Sequence, residues 1–256
     1  MCAASASKMQ KDNQMKTVLI TGAARGIGKG CAIAFAQKGY NVAINYNKSQ
    51  KEAESLKTDI LSNGLTAEIF KADVSREVEA KRLIDDVVAC FGKIDVLINN
   101  AGKALYKPFD EVTDPQWQNL CACNLSSTVY CTKYAVKDML VHKYGRIINI
   151  SSMWGERGAS CEAHYSAVKA GIIGLTKALA KEYAPCGITV NCITPGVIDT
   201  DMLNVFSEQE KSELISRTPC ARLGTPYDVA VAALFFADTR SDFITGQVLG
   251  VDGGFV

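Results

Sequence analysis

Thr17-Val18-Leu19-Ile20-Thr21-Gly22-Ala23-Ala24-Arg25-Gly26-Ile27-Gly28 is the stretch that decides the fold. Four apolar or β-branched residues read as a buried strand, and glycines follow with the spacing Gly-x3-Gly-x-Gly. A helical pattern opens at Ile27. A strand that runs straight into a glycine turn and then a helix is the first half of a βαβ unit. Glycine lets the backbone come close to a phosphate, and the helix N-terminus offers free N–H groups to it. Tight strand-to-helix turns also use glycine for purely structural reasons, so the turn needs companions before it points to a nucleotide.

The same rhythm extends outward in both directions. Strand-like runs lie at Thr17 to Ile20, Val42 to Tyr46, Ala67 to Lys71, Val96 to Ile98, Arg146 to Ile150, Thr189 to Ile193 and Gln247 to Val251. Between them fall amphipathic helical patterns near Ile27 to Lys38, Gln50 to Ser62, Glu77 to Phe91, Asp114 to His142, Ala163 to Tyr183 and Tyr227 to Ala237. Short strands alternating with helices, joined by right-handed crossovers, predict an α/β, Rossmann-like, doubly wound fold. Its seven-stranded parallel sheet carries helices on both faces. The expected domain is 15–256. Within it, 196–223 breaks the rhythm with a short helical pattern, Ser207 to Ser216, and reads as a mobile lid over the site or as a surface excursion. Residues 1–14 are polar and lack the apolar core of a signal peptide, so a disordered N-terminal extension is expected there.

Composition narrows the function. The chain has 256 residues, 48% hydrophobic and 21% charged, enough for one packed domain with no dividing linker. A formal net charge of +1 with mixed acids and bases gives no field that gathers nucleic acid. The longest apolar runs are strand-sized, so no membrane partner is expected. Cys31, Cys90, Cys131, Cys186 and Cys192 sit singly in apolar segments and read as small hydrophobes. No Cys-x2-Cys pair occurs, and Cys121 and Cys123 have no histidine at zinc-finger spacing, so no metal site is expected. Reduced thiols fit a cytoplasmic location.

Asn99-Asn100-Ala101-Gly102 follows strand four and Asp73 follows strand three, each at a strand C-terminal end, where open α/β sheets bind ligands. With the TGxxxGxG turn, the NNAG element, a serine, Tyr-x3-Lys and Pro-Gly after strand six, the chain resembles the short-chain dehydrogenase/reductase family from Lys16 to Val256. The resemblance implies that Gly22, Arg25, Gly26, Ile27 and Gly28 form the phosphate turn. It places Asp73 and Val74 at the adenine, and Asn100, Ala101 and Gly102 on the cofactor wall with Asn99 supporting it. It sets Pro195, Gly196, Val197, Ile198 and Thr200 by the nicotinamide and pyrophosphate. Coenzyme choice turns on the end of strand two, where an acidic residue would hold a ribose 2′-hydroxyl. Tyr46 stands there, followed by Asn47 and Lys48, and with Arg25 these suit a 2′-phosphate; NADP(H) is the expected cofactor. Arg25 and Lys48 also read as ordinary solvated charges.

Tyr165 and Lys169 lie at i and i+4 of a helix and so share a face. A free tyrosine titrates near pH ~10, and an adjacent ammonium is expected to stabilise its phenolate. Ser152 ends strand five, thirteen residues before Tyr165, where its hydroxyl can orient a carbonyl. By family resemblance Asn124 completes the set, holding a water that connects Lys169 to solvent. By the same resemblance Tyr165 and Lys169 also touch the cofactor, with Lys169 reaching the nicotinamide ribose. The expected reaction is hydride transfer to a carbonyl carbon with Tyr165 as proton donor.

Within the family, TGAARGIG, GRIINISS, ITVNCITPGVIDTDM and ITGQVLGVDGGF look most like bacterial 3-oxoacyl-acyl-carrier-protein reductases. Lys137 and Lys181 fall where those carry basic residues toward the acidic carrier protein. The segment Trp154 to His164 instead resembles relatives that reduce a 5-aminopentanone group on elongation factor P. There Glu156 or Glu162 would offset an amine, or both are solvated loop residues. A non-catalytic NADP(H)-binding sensor is the reading from another class. The substrate is therefore a small-molecule or carrier-bound carbonyl. The resemblance also implies a homotetramer, with apolar Val129, Ala135, Val136, Ile172, Leu175 and Leu179 exceeding one sheet-facing stripe.

Overall fold

Seven strands, β1 (Thr17–Ile20), β2 (Asn41–Tyr46), β3 (Ala67–Lys71), β4 (Val96–Asn99), β5 (Gly145–Ile150), β6 (Ile188–Pro195) and β7 (Val248–Val251), form one parallel sheet. Their order is β3-β2-β1-β4-β5-β6-β7. The computed structural model describes residues 15–201, 203 and 206–255; the expected extension at 1–14 lies outside them. Side chains alternate across each strand and sort into two cores. Val18, Ile20, Val42, Ile44, Val96, Ile98, Ile148 and Ile150 face one core, while Leu19, Ala43, Leu97 and Ile147 face the other. Both faces are apolar because both are covered.

The first core is closed by α1 (Gly26–Gln37), α2 (Gln50–Ser62) and, from the far end of the chain, the helix Pro226–Ala237, with Phe35, Leu56 and Phe236 buried among them. The second is closed by α3 (Glu77–Phe91), by the helical run that starts at α4 (Asp114–Cys121) and continues as α5 (Ser127–His142), and by the helix Ala163–Tyr183. The remaining helices are α6 (Trp154–Arg157), α7 (Ala163–Tyr183), α8 (Glu208–Ser216) and α9 (Pro226–Ala237). Ser207 and Thr225 cap α8 and α9 with reciprocal side-chain and backbone bonds to Glu210 and Asp228. No described helix is long and apolar enough to cross a membrane.

Three local features differ from the expectation. The helical run from Asp114 to His142 contains one π-turn, Ala122–Ser126. There Asn124 Nδ2 donates to Leu120 O at 3.0 Å, Ser127 Oγ to Cys123 O at 2.8 Å and Thr128 Oγ1 to Asn124 O at 2.9 Å. Side chains competing for helix carbonyls accompany one residue of extra winding. The short α6 was not expected, since four residues with a glycine inside carry no periodic signal. Of the cysteines expected in the core, Cys31, Cys131 and Cys192 are buried, but Cys90 is exposed and Cys186 half-buried near helix ends.

One buried polar side chain ties three segments together below the glycine turn. Asn45, after Val42-Ala43-Ile44 in β2, accepts from Gly22 N at 3.2 Å and donates to Phe70 O and Ala72 O, both at 3.2 Å. A variant Asn45→Val should lose about 3 kcal/mol of stability, because buried backbone groups left without partners cost ~1–3 kcal/mol each. Urea unfolding would read it, and a change below about 1 kcal/mol would show that the network carries no such weight.

Candidate active site

Strand order reverses between β1 and β4, and the crevice beyond their carboxyl ends is the ligand position of an open α/β sheet. A cleft of about 430 Å³ lies there. Gly22, Arg25, Gly26, Ile27, Tyr46, Asn47, Lys48, Asp73, Val74, Asn100, Ala101, Gly102 and Thr200 line it, as expected from the sequence. Ser49, Ser75, Lys103, Cys123 and Asp201 line it as well and were not foreseen.

The turn that floors the cleft is held from behind. Thr21 Oγ1 accepts from Asn100 N and Ala101 N, both at 2.9 Å, and Asn100 Nδ2 donates to Thr21 O at 2.9 Å. Gly22 has φ +63°, which L side chains rarely adopt. Gly28 does not line the cleft. A Cβ there would lie 2.5 Å from Gly22 O and 2.7 Å from Asn100 Nδ2, so its missing side chain lets α1 seat against the turn. Helix α1 has neither a side-chain cap nor an acid in its first turn, which leaves its N–H groups to an anion. The cradle fits a dinucleotide phosphate on these grounds. Burial pushes the Asp73 carboxyl up, but bonds from the Ser75 side chain and backbone and from Asn47 outweigh it and hold Asp73 below its usual value. At the outer end Arg25 Nη1 pairs with Asp201 Oδ2 at 3.2 Å.

Beyond the cleft, β5 delivers Ser152 and α7 delivers Tyr165 and Lys169, all buried. Ser151 turns away and donates to Lys169 O at 2.8 Å. Ser152 Oγ accepts from Trp154 N at 3.2 Å and sits beside the Tyr165 phenol. Lys169 Nζ lies 5.5 Å from the Tyr165 ring centroid and donates to Ile150 O at 3.0 Å. Asn124 Nδ2 donates to Lys103 O at 3.1 Å and Oδ1 accepts from Lys103 N at 3.3 Å, so its side chain is engaged by that loop. A Cβ on Gly102 would crowd Asn124 and lie 3.6 Å from Lys169 Nζ, so Asn124 and Lys169 both border Gly102.

The electrostatics differ from the expectation that Lys169 would lower the tyrosine. Burial pushes the Tyr165 phenol well above its ordinary value and the Glu162 carboxylate adds to this, while Ser152 pulls back. Burial lowers Lys169 from 10.5 to about 8. Tyr165 is accordingly a protonated phenol at neutral pH.

Tyr165, Lys169, Pro195, Gly196, Val197 and Ile198, also expected at the coenzyme, are not among the residues that line this cleft. Ile198 turns into the first core, and a Cβ on Gly196 would lie 2.7 Å from Asp252 Cα, so both positions are tightly packed. Asn99 is buried away from the wall, donating to Thr132 Oγ1 at 2.9 Å and Asn149 Oδ1 at 2.8 Å. The base of 196–223 is tied by Asp199 N to Gly224 O at 2.8 Å and Gly224 N to Val197 O at 2.9 Å. Glu156 is exposed, whereas Glu162 is half-buried and its carboxyl is pushed up by burial.

The chain matches the family model described as enoyl-(acyl carrier protein) reductase over residues 22–256. It is 40% identical over 239 residues to a 3-oxoacyl-acyl-carrier-protein reductase of Staphylococcus aureus, covering 93% of this chain and 97% of the relative. A reductase of the same description from Synechocystis is 42% identical over 242 residues, covering 94% and 97%. The crystal structure of a 3-oxoacyl-acyl-carrier-protein reductase from Brucella melitensis superposes with a TM-score of 0.88 at 34% identity, covering 94% of this chain and 91% of that one.

Lys169 costs the fold stability. Its pKa of about 8 lies below the ordinary 10.5 of an unfolded chain, so the folded state binds its proton less well. The penalty is on the order of 3 kcal/mol, present in full below the folded value and lost as pH rises toward the unfolded one. Lys169→Met should therefore be more stable than the unmodified protein at pH ~7, with the gap closing by pH ~10. Urea unfolding at both pH values checks this; a less stable variant at neutral pH, or a gap that ignores pH, would count against it.

Proposed function

Since this chain belongs to the short-chain dehydrogenase/reductase family, we propose that it reduces the ketone of a 3-oxoacyl thioester to a secondary alcohol with NADPH. As a family member it is an oxidoreductase that interconverts carbonyl and alcohol with a nicotinamide coenzyme. The observation that carries the reading is the meeting of the Ser152 hydroxyl and a protonated Tyr165 phenol beside buried Lys169, next to the cleft. A sensor would need only the nucleotide half.

The bound coenzyme supplies the hydride. Ser152 donates a hydrogen bond to the substrate oxygen and fixes its position. Tyr165 gives that oxygen its proton as negative charge develops, and the high pKa that burial imposes keeps the proton on the phenol until then. Lys169 then faces the phenolate and stabilises it. Asn124 holds the Gly102 to Lys103 backbone against Lys169. NADPH over NADH is supported by Tyr46 where an acid would hold a 2′-hydroxyl, with Arg25, Asn47 and Lys48 lining the same cleft.

Thioester chemistry is supported by the relatives' activity and by exposed Lys137 and Lys181, which offer charge to a carrier protein. A second reading, a ketone with a terminal amine such as the 5-aminopentanone group on elongation factor P, rests on Glu162. Its half-buried carboxylate lies close enough to Tyr165 to raise its pKa. Assembly as a homotetramer is supported by two apolar faces left open. One carries Val129, Leu140 and Val141 on α5, the other Tyr227, Val231 and Phe235 on α9.

NADPH oxidation with an acetoacetyl thioester, a cationic aminoketone and a neutral ketone of equal size tests the reading. The thioester should turn over fastest, and Tyr165→Phe should remove most of the rate, at least about 100-fold, with coenzyme affinity nearly unchanged. Turnover by Tyr165→Phe within about tenfold of the unmodified protein would remove Tyr165 from the chemistry. A clear preference for the aminoketone, abolished in Glu162→Gln, would replace the thioester by the second reading.

A further inference from the structure

The cleft lined by Arg25, Tyr46, Asn47 and Lys48 is also lined by a carboxylate, Asp201. Its Oδ2 lies 3.2 Å from Arg25 Nη1, and this is the guanidinium's one hydrogen bond among the described residues. Asp73, the other acid of the cleft, is occupied by Ser75 and Asn47. Asp201 is therefore the acid that competes for a cation on which the NADP(H) reading depends. We propose that Asp201 determines coenzyme selectivity by weakening the hold of Arg25 on a 2′-phosphate. The proposal rests on that reading of the coenzyme.

Two effects of Asp201 oppose each other, and their sizes decide between them. Holding Arg25 in place would prepare it for a ligand, but the two side chains are 57% and 62% exposed. Pairs so exposed are weak and mobile, so the orientation they impose is worth little. Against this, a 2′-phosphate carries a charge of about −2 and binds a guanidinium best through two parallel bonds. To make them, Arg25 must leave Asp201, and the freed carboxylate then faces the phosphate across one cleft. A coenzyme with a plain 2′-hydroxyl leaves the pair intact and meets no repulsion. Asp201 therefore penalises the phosphorylated coenzyme selectively. Lys29, Lys51 and Glu52 line a groove that Arg25 and Asp201 also border.

The position has a structural reason that the cleft alone does not supply. Thr200 packs beside Gly26, where a Cβ would lie 3.3 Å from the threonine methyl. The Arg25–Asp201 pair thus adds an ionic contact where the chain after β6 meets the glycine turn.

Calorimetric titration of the full chain with 2′,5′-ADP and with 5′-ADP tests the proposal without turnover. Asp201→Asn should bind 2′,5′-ADP roughly three- to tenfold more tightly and leave 5′-ADP within about twofold. The gain should shrink in an Arg25→Ala background. Weaker or unchanged binding of 2′,5′-ADP by Asp201→Asn would overturn the proposal, as would an equal gain with and without Arg25. Unmodified protein that binds the two probes equally would refute the NADP(H) reading itself. A preference for 2′,5′-ADP that Asp201→Asn does not increase would leave that reading standing and remove only the role of Asp201.

Discussion

The bond from Lys169 Nζ to the carbonyl of Ile150, at 3.0 Å, puts an ammonium inside the protein, and the arrangement around it follows from accommodating that group. A buried cation is costly unless nearby acceptors and an absence of bulk make room for it. Ile150 is the last residue of β5, so its carbonyl is an acceptor at the strand end. Two glycines pack closely nearby. A Cβ on Gly155 would lie 2.8 Å from the Lys169 carbonyl carbon, and one on Gly102 would crowd Asn124 Oδ1. The π-turn at Asn124 brings its amide to the Lys103 backbone, which closes the same space. Close-packed glycines at Gly102 and Gly155 and the π-turn thus surround the buried ammonium.

The strands and flanking helices were legible because each is a local pattern. The short apolar, β-branched runs of β1, β2, β4 and β5 and the helical repeats of α2, α3 and α7 mark these elements, and the glycine turn announces the switch point. The polar frame was not legible, because its bonds join residues far apart in the chain. Thr21 reaches Asn100, Asn99 reaches Asn149, and Arg25 reaches Asp201 across 176 positions. Asn45 did leave a signal: it interrupts Val42-Ala43-Ile44, and a polar residue at a core position of a strand calls for buried partners.

The site was legible in its membership more than in its electrostatics. Spacing placed Tyr165 and Lys169 on one face, but the sign of the tyrosine shift depended on depth, which a sequence does not state. Desolvation raises the phenol and lowers the ammonium, so both groups lean toward their neutral forms. Neutral tyrosine is the competent state for a proton donor.

In the proposed reaction Tyr165 works as a buried, protonated acid with Lys169 as its charged neighbour. The pH dependence of kcat/KM for NADPH-driven ketone reduction tests it most directly, because that ratio reports ionisations of the free enzyme. A plateau at neutral pH should give way to a single decline as Lys169 loses its proton at about 8, with no inflection from tyrosine below it. A rate that climbs steadily with pH from about 6 to 9 would mean that tyrosinate is the working form, and would contradict the account.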